Sequence, residues 1–156
     1  MDKLKGLLDS LEEETIRSWE DFPDMLLYMD QLLLLMEDQI YFARSQQSLT
    51  SSMVNNYVKA GIVPRAEKKK YDRNHLARLS MIGVLKQVLS LEEMEGLFAR
   101  LSPGKTTYER YLEILEGAKE EVLEEVRGLD KDIVLLHLAM KSYLFKILIQ
   151  ELLNED

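Results

Sequence analysis

The sequence predicts a mainly helical fold, and three features of the 156-residue chain indicate this. Apolar residues recur at three- and four-residue spacing over most of its length, as they do along one face of an α-helix. Thr50, Asp72 and Ser90 each stand directly before such a stretch, where their side chains can cap a helix. Gly61 and Gly128 follow two of the stretches, where glycine commonly ends a helix. The pattern favours helices joined by short turns.

Residues 1–22 are predicted to form an N-terminal amphipathic helix. Leucines, Ile16 and Trp19 recur on one helical face, and acidic residues occupy the others. That face needs a partner surface. Membrane-binding helices usually carry a polar face rich in lysine and arginine, and this one is mixed, so no membrane contact is expected.

A second helix is predicted over residues 24–44, because Pro23 suits a first turn. Its apolar run, residues 32–36, indicates burial on more than one side. Asp30, Glu37 and Asp38 interrupt the stretch too often for a membrane span. Polar residues 45–48 are expected to form the turn that follows.

A short helix is predicted from about residue 50 to residue 60. Thr50 can cap it, and Gly61 followed by Pro64 ends it. Its exposed face would carry Ser51, Ser52, Asn55, Asn56 and Lys59. Small hydroxyl and amide side chains beside a lysine can read the edges of bases. An ordinary solvated helix is the alternative.

The loop that follows belongs to a basic island. Between Met53 and Lys86 there are eight Lys or Arg and two Asp or Glu, a local charge of +6 in a chain of −8. The loop and its end supply Arg65, Lys68, Lys69, Lys70 and Arg73. Such an island in an acidic protein is the pattern expected for phosphate contact at one place. A solvated lysine loop is the alternative.

Two capped helices are predicted next. Asp72 can cap a helix that reaches about Val88, and Ser90 with Glu93 forms a capping box for another. His75 falls in the first turn of the former, where we expect it to face solvent, with a position near phosphate as the alternative.

These motifs resemble a known family. The residues that carry the resemblance are Tyr57, Gly61-Ile62-Val63-Pro64, Lys70-Tyr71, Leu79, Ile82, Leu85 and Leu89-Ser90-Leu91-Glu92-Glu93-Met94. Their spacing is similar to the winged helix-turn-helix of MerR-type transcriptional regulators. A second set of motifs lies within residues 19–101: Trp19, Phe22-Pro23, Leu27-Tyr28-Met29-Asp30-Gln31, Met53-Val54-Asn55-Asn56-Tyr57-Val58-Lys59 and Lys69-Lys70-Tyr71. These motifs more closely resemble a bacterial domain family of unknown function that is thought to be MerR-like. The resemblance implies a winged helix-turn-helix over residues 23–101, with a recognition helix at 50–60 and a short basic β-wing at 62–71.

Two departures from the MerR pattern affect the site. Asn55 and Asn56 stand where an arginine and an aromatic residue are typical. No glycine lies near Tyr71, so the two strands of the wing would be brief.

Residues 102–156 are predicted to form a C-terminal helical hairpin. Gly128 ends its first helix and Asp130 can cap the second. Of the 21 residues from 133 to 153, 15 are apolar, so most of the circumference of that helix must be covered. Either the N-terminal helices or a second subunit supplies this cover, which makes the hairpin a candidate dimerisation region.

The residues for catalysis or metal binding are missing from the sequence. There is no cysteine, only two histidines, and no pair of carboxylates in an apolar setting. We therefore expect neither an enzyme nor a cofactor or metal site. The first residues lack a basic segment followed by an apolar core, so no signal peptide is indicated and a cytoplasmic location is expected.

The sequence thus favours a DNA-binding transcriptional regulator that acts as a homodimer on double-stranded DNA. The predicted DNA-binding residues are Ser51, Ser52, Asn55, Asn56, Tyr57, Lys59, Arg65, Lys68, Lys69, Lys70, Tyr71 and Arg73. The alternative is a protein–protein interaction module that retains a helix-turn-helix fold without specific DNA binding. A small hydrophobic ligand between helices stays an open alternative.

Overall fold

The computed structural model describes residues 2–38 and 47–155, and these residues are mainly helical, as the sequence predicts. The helices are α1 (Asp2–Glu13), α2 (Met29–Glu37), α3 (Ser51–Lys59), α4 (Arg73–Leu85), α5 (Leu91–Ala99), α6 (Lys105–Arg127) and α7 (Val134–Asn154). The described residues contain no β-strand, only isolated antiparallel bridges between Leu27 and Tyr71 and between Glu67 and Lys70. The expected β-wing is therefore not confirmed as a pair of strands.

The chain divides into two compact units. The central unit is Ile16–Leu112, and the terminal unit combines Met1–Thr15 with Glu113–Asp156. Helix α6 begins in the central unit and ends in the terminal unit. The division predicted from the sequence, into residues 1–22, 23–101 and 102–156, stays a prediction.

The central unit has a closed apolar core. Its fully buried side chains come from α2, α3, α4, the first turn of α6 and the segments between helices, and they are Phe22, Leu32, Met36, Val54, Ile62, Val63, Leu76, Leu79, Ile82 and Tyr108. The Tyr108 hydroxyl donates a hydrogen bond to the Arg17 carbonyl oxygen at 2.6 Å, and its ring lies 5.4 Å from that of buried Phe22. Aromatic packing thus joins residues from both ends of this unit.

Two helix boundaries differ from the prediction because residues 16–28 make contacts within the central unit. Helix α1 ends at Glu13, well before Trp19, and α2 begins at Met29 instead of near residue 24. Leu27 uses its N–H and carbonyl to pair with Tyr71, at 2.9 and 2.8 Å, so this residue cannot be helical. Residues 39–44 of the predicted second helix, and residues 45 and 46 of the turn after it, lie outside the described residues.

The terminal unit has a small core. Leu8 of α1 and Leu123 and Val126 of α6 are buried, and partly buried apolar residues of α1 and α7 pack against them. Helix α7, every residue of which is described, buries none of its side chains completely. No helix among the described residues, α7 included, is both long and apolar enough to cross a membrane.

Candidate nucleic-acid interface

Helix α3 has the ends that the sequence predicts. The Thr50 Oγ1 accepts a hydrogen bond from the Met53 N–H at 3.2 Å, which caps the N-terminus. Gly61 adopts a φ of +78°, a left-handed conformation that glycine reaches without steric cost. The chain therefore leaves α3 in a tight turn toward the basic loop.

The outward face of α3 carries the predicted base-reading residues. Ser51, Ser52, Asn55, Asn56 and Lys59 are all exposed, and Val54 on the opposite face is fully buried. Each residue turns the helix by about 100°, so Ser52 and Lys59 define an outward line that lies roughly 150° around the helix axis from Val54. Asn55 and Asn56 flank that line on either side. Neither amide is hydrogen-bonded to another described residue.

Tyr57 supports the end of α3 and is only half buried. Burial raises the pKa of its phenol above the usual value. The Tyr57 carbonyl oxygen accepts hydrogen bonds from the Ile62 N–H at 3.1 Å and the Val63 N–H at 3.3 Å. Because Ile62 and Val63 are buried, these bonds fix the path of the chain from α3 into the basic loop.

Residues 67–70 form a tight turn, called here the lysine turn. The Glu67 and Lys70 backbones exchange hydrogen bonds of 3.2 and 2.9 Å. Lys68 and Lys69 at the tip have φ values of 50° and 65°. Two successive positive φ angles are the pattern of a type I′ turn, in which Asn-Gly is the favoured pair. An L-residue with a Cβ costs about 1–2 kcal/mol in this region.

Tyr71 anchors the base of the lysine turn. It pairs with Leu27 through the backbone, and its ring lies edge-on to His75 at 5.1 Å between centroids. Only 6% of Tyr71 is exposed. The structure therefore places this predicted DNA-binding residue in the core, where it holds the turn instead of facing solvent.

His75 is buried, so the expectation that it faces solvent is wrong. It occupies the third position of α4, where its Nδ1 accepts from the Asp72 N–H at 2.9 Å in a capping box. Its Nε2 lies 3.2 Å from the Arg65 carbonyl oxygen and donates to it when Nδ1 is the acceptor. His75 thus fixes the backbone of Arg65, whose side chain is exposed.

Most cations of the predicted site are free to meet an anion. Lys59, Arg65, Lys68 and Lys69 are exposed, and none of them is paired with a carboxylate among the described residues. The two remaining cations are engaged. The Lys70 ammonium lies 5.6 Å from the centroid of the Tyr28 ring. The Arg73 Nε donates to the Phe22 carbonyl oxygen at 3.1 Å, and its guanidinium lies 3.6 Å from the Asp24 carboxylate.

Two residues of this region differ from what the sequence indicates. Arg78, counted in the basic island, is only 5% exposed; it donates to the Leu101 carbonyl oxygen at 2.8 Å and lies over the Phe98 ring. Burial lowers the pKa of its guanidinium, and its charge does not reach the surface. Tyr28 is exposed and joins the site through Lys70. No local signal separates Arg78 from the exposed cations of the basic island, such as Arg65.

The chemistry available here is hydrogen bonding and charge. The exposed groups are hydroxyls, amides, ammonium groups and one guanidinium, which suits an anionic ligand with polar edges. Within residues 2–38 and 47–155, no three histidine, aspartate or glutamate side chains converge as a metal site would require.

Comparison with known proteins gives one match. Residues 17–115 match the sequence model of a family described as a domain of unknown function, DUF1836. No curated protein and no solved structure matches the chain. The matched range includes α2 to α5 and the lysine turn, and it covers more than half of the chain. The protein therefore belongs to the DUF1836 family.

Proposed function

We propose that the protein is a DNA-binding transcriptional regulator that reads duplex DNA with α3 and holds the phosphate backbone with the lysine turn. The observation that carries the proposal is the pair of lysines at the tip of that turn. Lys68 and Lys69 are exposed, lack a carboxylate partner among the described residues, and hold positive φ angles. Asparagine and glycine would fit this backbone with less strain but carry no charge. Strain kept at an exposed position favours a functional role for the side chain.

Charge distribution favours DNA as the ligand. The chain carries a net charge of −8, yet the exposed cations of α3 and the loop after it lie within 11 residues, from 59 to 69. Duplex DNA presents one negative charge for about every 1.7 Å of its axis. A local cationic surface beside a helix with hydroxyl and amide side chains matches a ligand with phosphates on its outside and base edges in its grooves.

We assign residues 23–101 to a winged helix-turn-helix of the MerR type. In this interpretation α2 is the scaffold helix, α3 is the recognition helix, and α4 and α5 are the pair that follows the wing. The order of the helices and their caps at Thr50, Asp72 and Ser90 support the assignment. The wing would then be reduced to the lysine turn and the bridge between Leu27 and Tyr71.

We also propose that the regulator is a homodimer joined through α7. Eight of its apolar side chains are between 52% and 78% exposed. They are Leu135, Leu136, Met140, Tyr143, Leu144, Phe145, Leu148 and Leu152. Together they expose on the order of 800 Å² per subunit, which is what one partner buries in a standard protein interface. A dimer would read two half-sites, so we expect a palindromic target.

The first experiment is selection of bound sequences from a random duplex library with the full chain at two salt concentrations. We expect an enriched palindrome whose affinity falls steeply with salt. The variant Lys68→Ala/Lys69→Ala/Lys70→Ala should then bind the selected site more weakly at every salt concentration. Its slope of log affinity against log salt should be shallower by roughly 2 to 3, about 0.9 for each phosphate that the protein no longer neutralises.

A matched control removes three exposed lysines of the terminal unit, Lys3, Lys5 and Lys131, and changes the net charge equally. It should leave the slope nearly unchanged. Equal slopes for the control, the lysine-turn variant and the unchanged protein would refute the assignment of the lysine turn.

A protein-interaction module is the second candidate, and the exposed apolar face of α7 is the observation that favours it. On this alternative α7 binds a different protein, and the chain alone is a monomer. Sedimentation at protein concentrations on the order of tens of micromolar distinguishes the two, since self-association is concentration-dependent. A monomer without any enriched DNA sequence would favour the interaction module.

A further inference from the structure

We infer that the DNA site of this protein contains adenine at the positions that α3 reads. The inference rests on the proposed function, because it names the bases recognised by the same helix. The exposed face of α3 offers two asparagines, Asn55 and Asn56, and residues 51–59 contain no arginine. Asparagine pairs with adenine by accepting from N6 and donating to N7, whereas the commonest readers of guanine are arginine and lysine.

Within the described part of the chain, no residue occupies the hydrogen-bonding groups of the two amides. Each carries an acceptor oxygen and an NH₂ group with two donors, and neither is bonded to another described residue. They lie on either side of the line through Ser52 and Lys59 that points away from the core. When this line faces the floor of a major groove, Asn55 approaches the bases on one side of the line and Asn56 approaches the bases on the other side.

Short side chains can read bases only if the helix that carries them is held in a fixed rotation. Val54 is fully buried, and the Tyr57 carbonyl oxygen receives two backbone hydrogen bonds from the chain that follows. These contacts set the rotation of α3 about its axis. Lys59 at the end of the helix and the lysine turn beyond it supply cations for the phosphates, which leaves the amides to the bases.

The test starts from the sequence selected with the full chain and replaces each adenine in turn by 7-deazaadenine. This analogue has a C–H in place of N7, so it loses the acceptor and keeps Watson–Crick pairing. We expect affinity to fall about five- to a hundredfold at one or two positions in each half-site. Replacement of guanines by 7-deazaguanine should change affinity less than twofold, because α3 has no arginine and its one lysine, Lys59, is assigned to the phosphates.

The variants Asn55→Ala and Asn56→Ala test whether the loss of affinity caused by 7-deazaadenine depends on α3. Alanine is a better helix former than asparagine, so α3 should stay folded. Each variant should lose the 7-deazaadenine effect at one position and keep the salt dependence of the unchanged protein. Asn154→Ala, which removes an exposed amide of α7, should behave like the unchanged protein.

The outcomes separate this inference from the function on which it rests. A selected site that tolerates 7-deazaadenine everywhere, or whose 7-deazaadenine effects persist in both variants, overturns adenine reading and leaves DNA binding standing. Absence of any selected site, with no salt-dependent binding, overturns both.

Discussion

The central and terminal units use their apolar residues in opposite ways. The central unit encloses a core of fully buried large side chains, such as Phe22 and Tyr108, and exposes lysines, hydroxyls and amides on α3 and the lysine turn. The terminal unit buries Leu8, Leu123 and Val126 and leaves most of the apolar surface of α7 exposed. The first arrangement suits a fold that is stable by itself and presents a polar site. The second suits a fold that is completed by another protein surface.

The units also differ in what joins their elements. Buried aromatic and aliphatic contacts hold the central unit together. In the terminal unit, ion pairs surround the small core: Glu12 lies 2.6 Å from Arg127, and Glu125 contacts both His137 and Lys141. Exposed ion pairs contribute little to stability. We therefore expect the terminal unit to depend more than the central unit on the partner surface that we propose for α7.

The largest expected effect comes from removing the centre of the aromatic cluster. Tyr108→Ala should destabilise the central unit by about 3–5 kcal/mol, since it empties a fully buried site. Tyr108→Phe keeps the ring and removes the hydroxyl that bonds to the Arg17 carbonyl oxygen, and it should cost about 1 kcal/mol. Urea unfolding followed by fluorescence measures both, because the only tryptophan, Trp19, lies 6.3 Å from Tyr108 between ring centroids. Equal costs for the two variants would show that the ring does not organise this core.

The next effect concerns the exposed face of α7. Leu144→Glu with Leu148→Glu should weaken the proposed homodimer at least about a hundredfold, because it puts charges into an apolar interface. Sedimentation velocity measures the change. Unfolding reported by Trp19 should shift by no more than about 0.5 kcal/mol, since both leucines are exposed in the monomer. Ser142→Glu with Gln150→Glu on the same helix is the control, and equal dissociation by both pairs would argue against a specific interface.

At the lysine turn we expect smaller effects, a gain in stability together with a loss of the proposed DNA binding. Lys68→Asn with Lys69→Gly relieves two positive φ angles and should stabilise the central unit by about 1 kcal/mol or more. The same change should weaken DNA binding, because it removes two exposed charges. Lys68→Gln with Lys69→Gln removes the charges and keeps the strain, so it should weaken binding without the gain in stability. A gain of the same size in both variants would show that charge repulsion, and not backbone strain, limits stability here.

The smallest effect is a pH dependence in the terminal unit. Hydrogen bonds from Lys141 and His137 hold the pKa of Glu125 below its usual value of 4.5. A carboxyl whose folded-state pKa is depressed adds stability above its usual pKa, and this contribution is lost as the pH falls through the folded-state pKa. Glu125→Gln should therefore lower the melting temperature slightly at neutral pH and leave it unchanged in strong acid.

Thermal unfolding followed by circular dichroism measures this difference. The control is Glu121→Gln, an exposed carboxylate on the same helix without a partner among the described residues. A deficit of Glu125→Gln that persists in strong acid would show that the change acts through packing and not through ionisation.

The sequence correctly predicts the helix ends that are set by residues nearby in the chain. Helices α3, α4 and α5 begin at the caps expected from Thr50, Asp72 and Ser90, because a cap is a contact between residues two or three positions apart. The start of α2 cannot be predicted in this way, because the pairing of Leu27 depends on Tyr71, far along the chain. Local patterns carry no information about such a partner.

The candidate site likewise has features that the local sequence predicts and features that it does not. Helical periodicity predicts which residues of α3 are exposed, since Val54 alone fixes the buried side. It does not predict the burial of Tyr71, His75 and Arg78, which depends on how α4 packs against other elements. The positive φ angles of Lys68 and Lys69 have no local signal either, because neither residue is of the type that favours them.

The pairing of Leu27 with Tyr71 also bears on the order in which the protein folds. These residues are 44 positions apart, and closing a loop of that length costs on the order of 3 kcal/mol in chain entropy before any interaction compensates for it. Helix α3 needs only local hydrogen bonds, so it can form before this loop closes. The lysine turn also closes through local hydrogen bonds, but its base is fixed only when Tyr71 pairs with Leu27. A chain that has just left the ribosome would then form the helix that we propose for reading bases before it fixes the turn that we propose for binding phosphates.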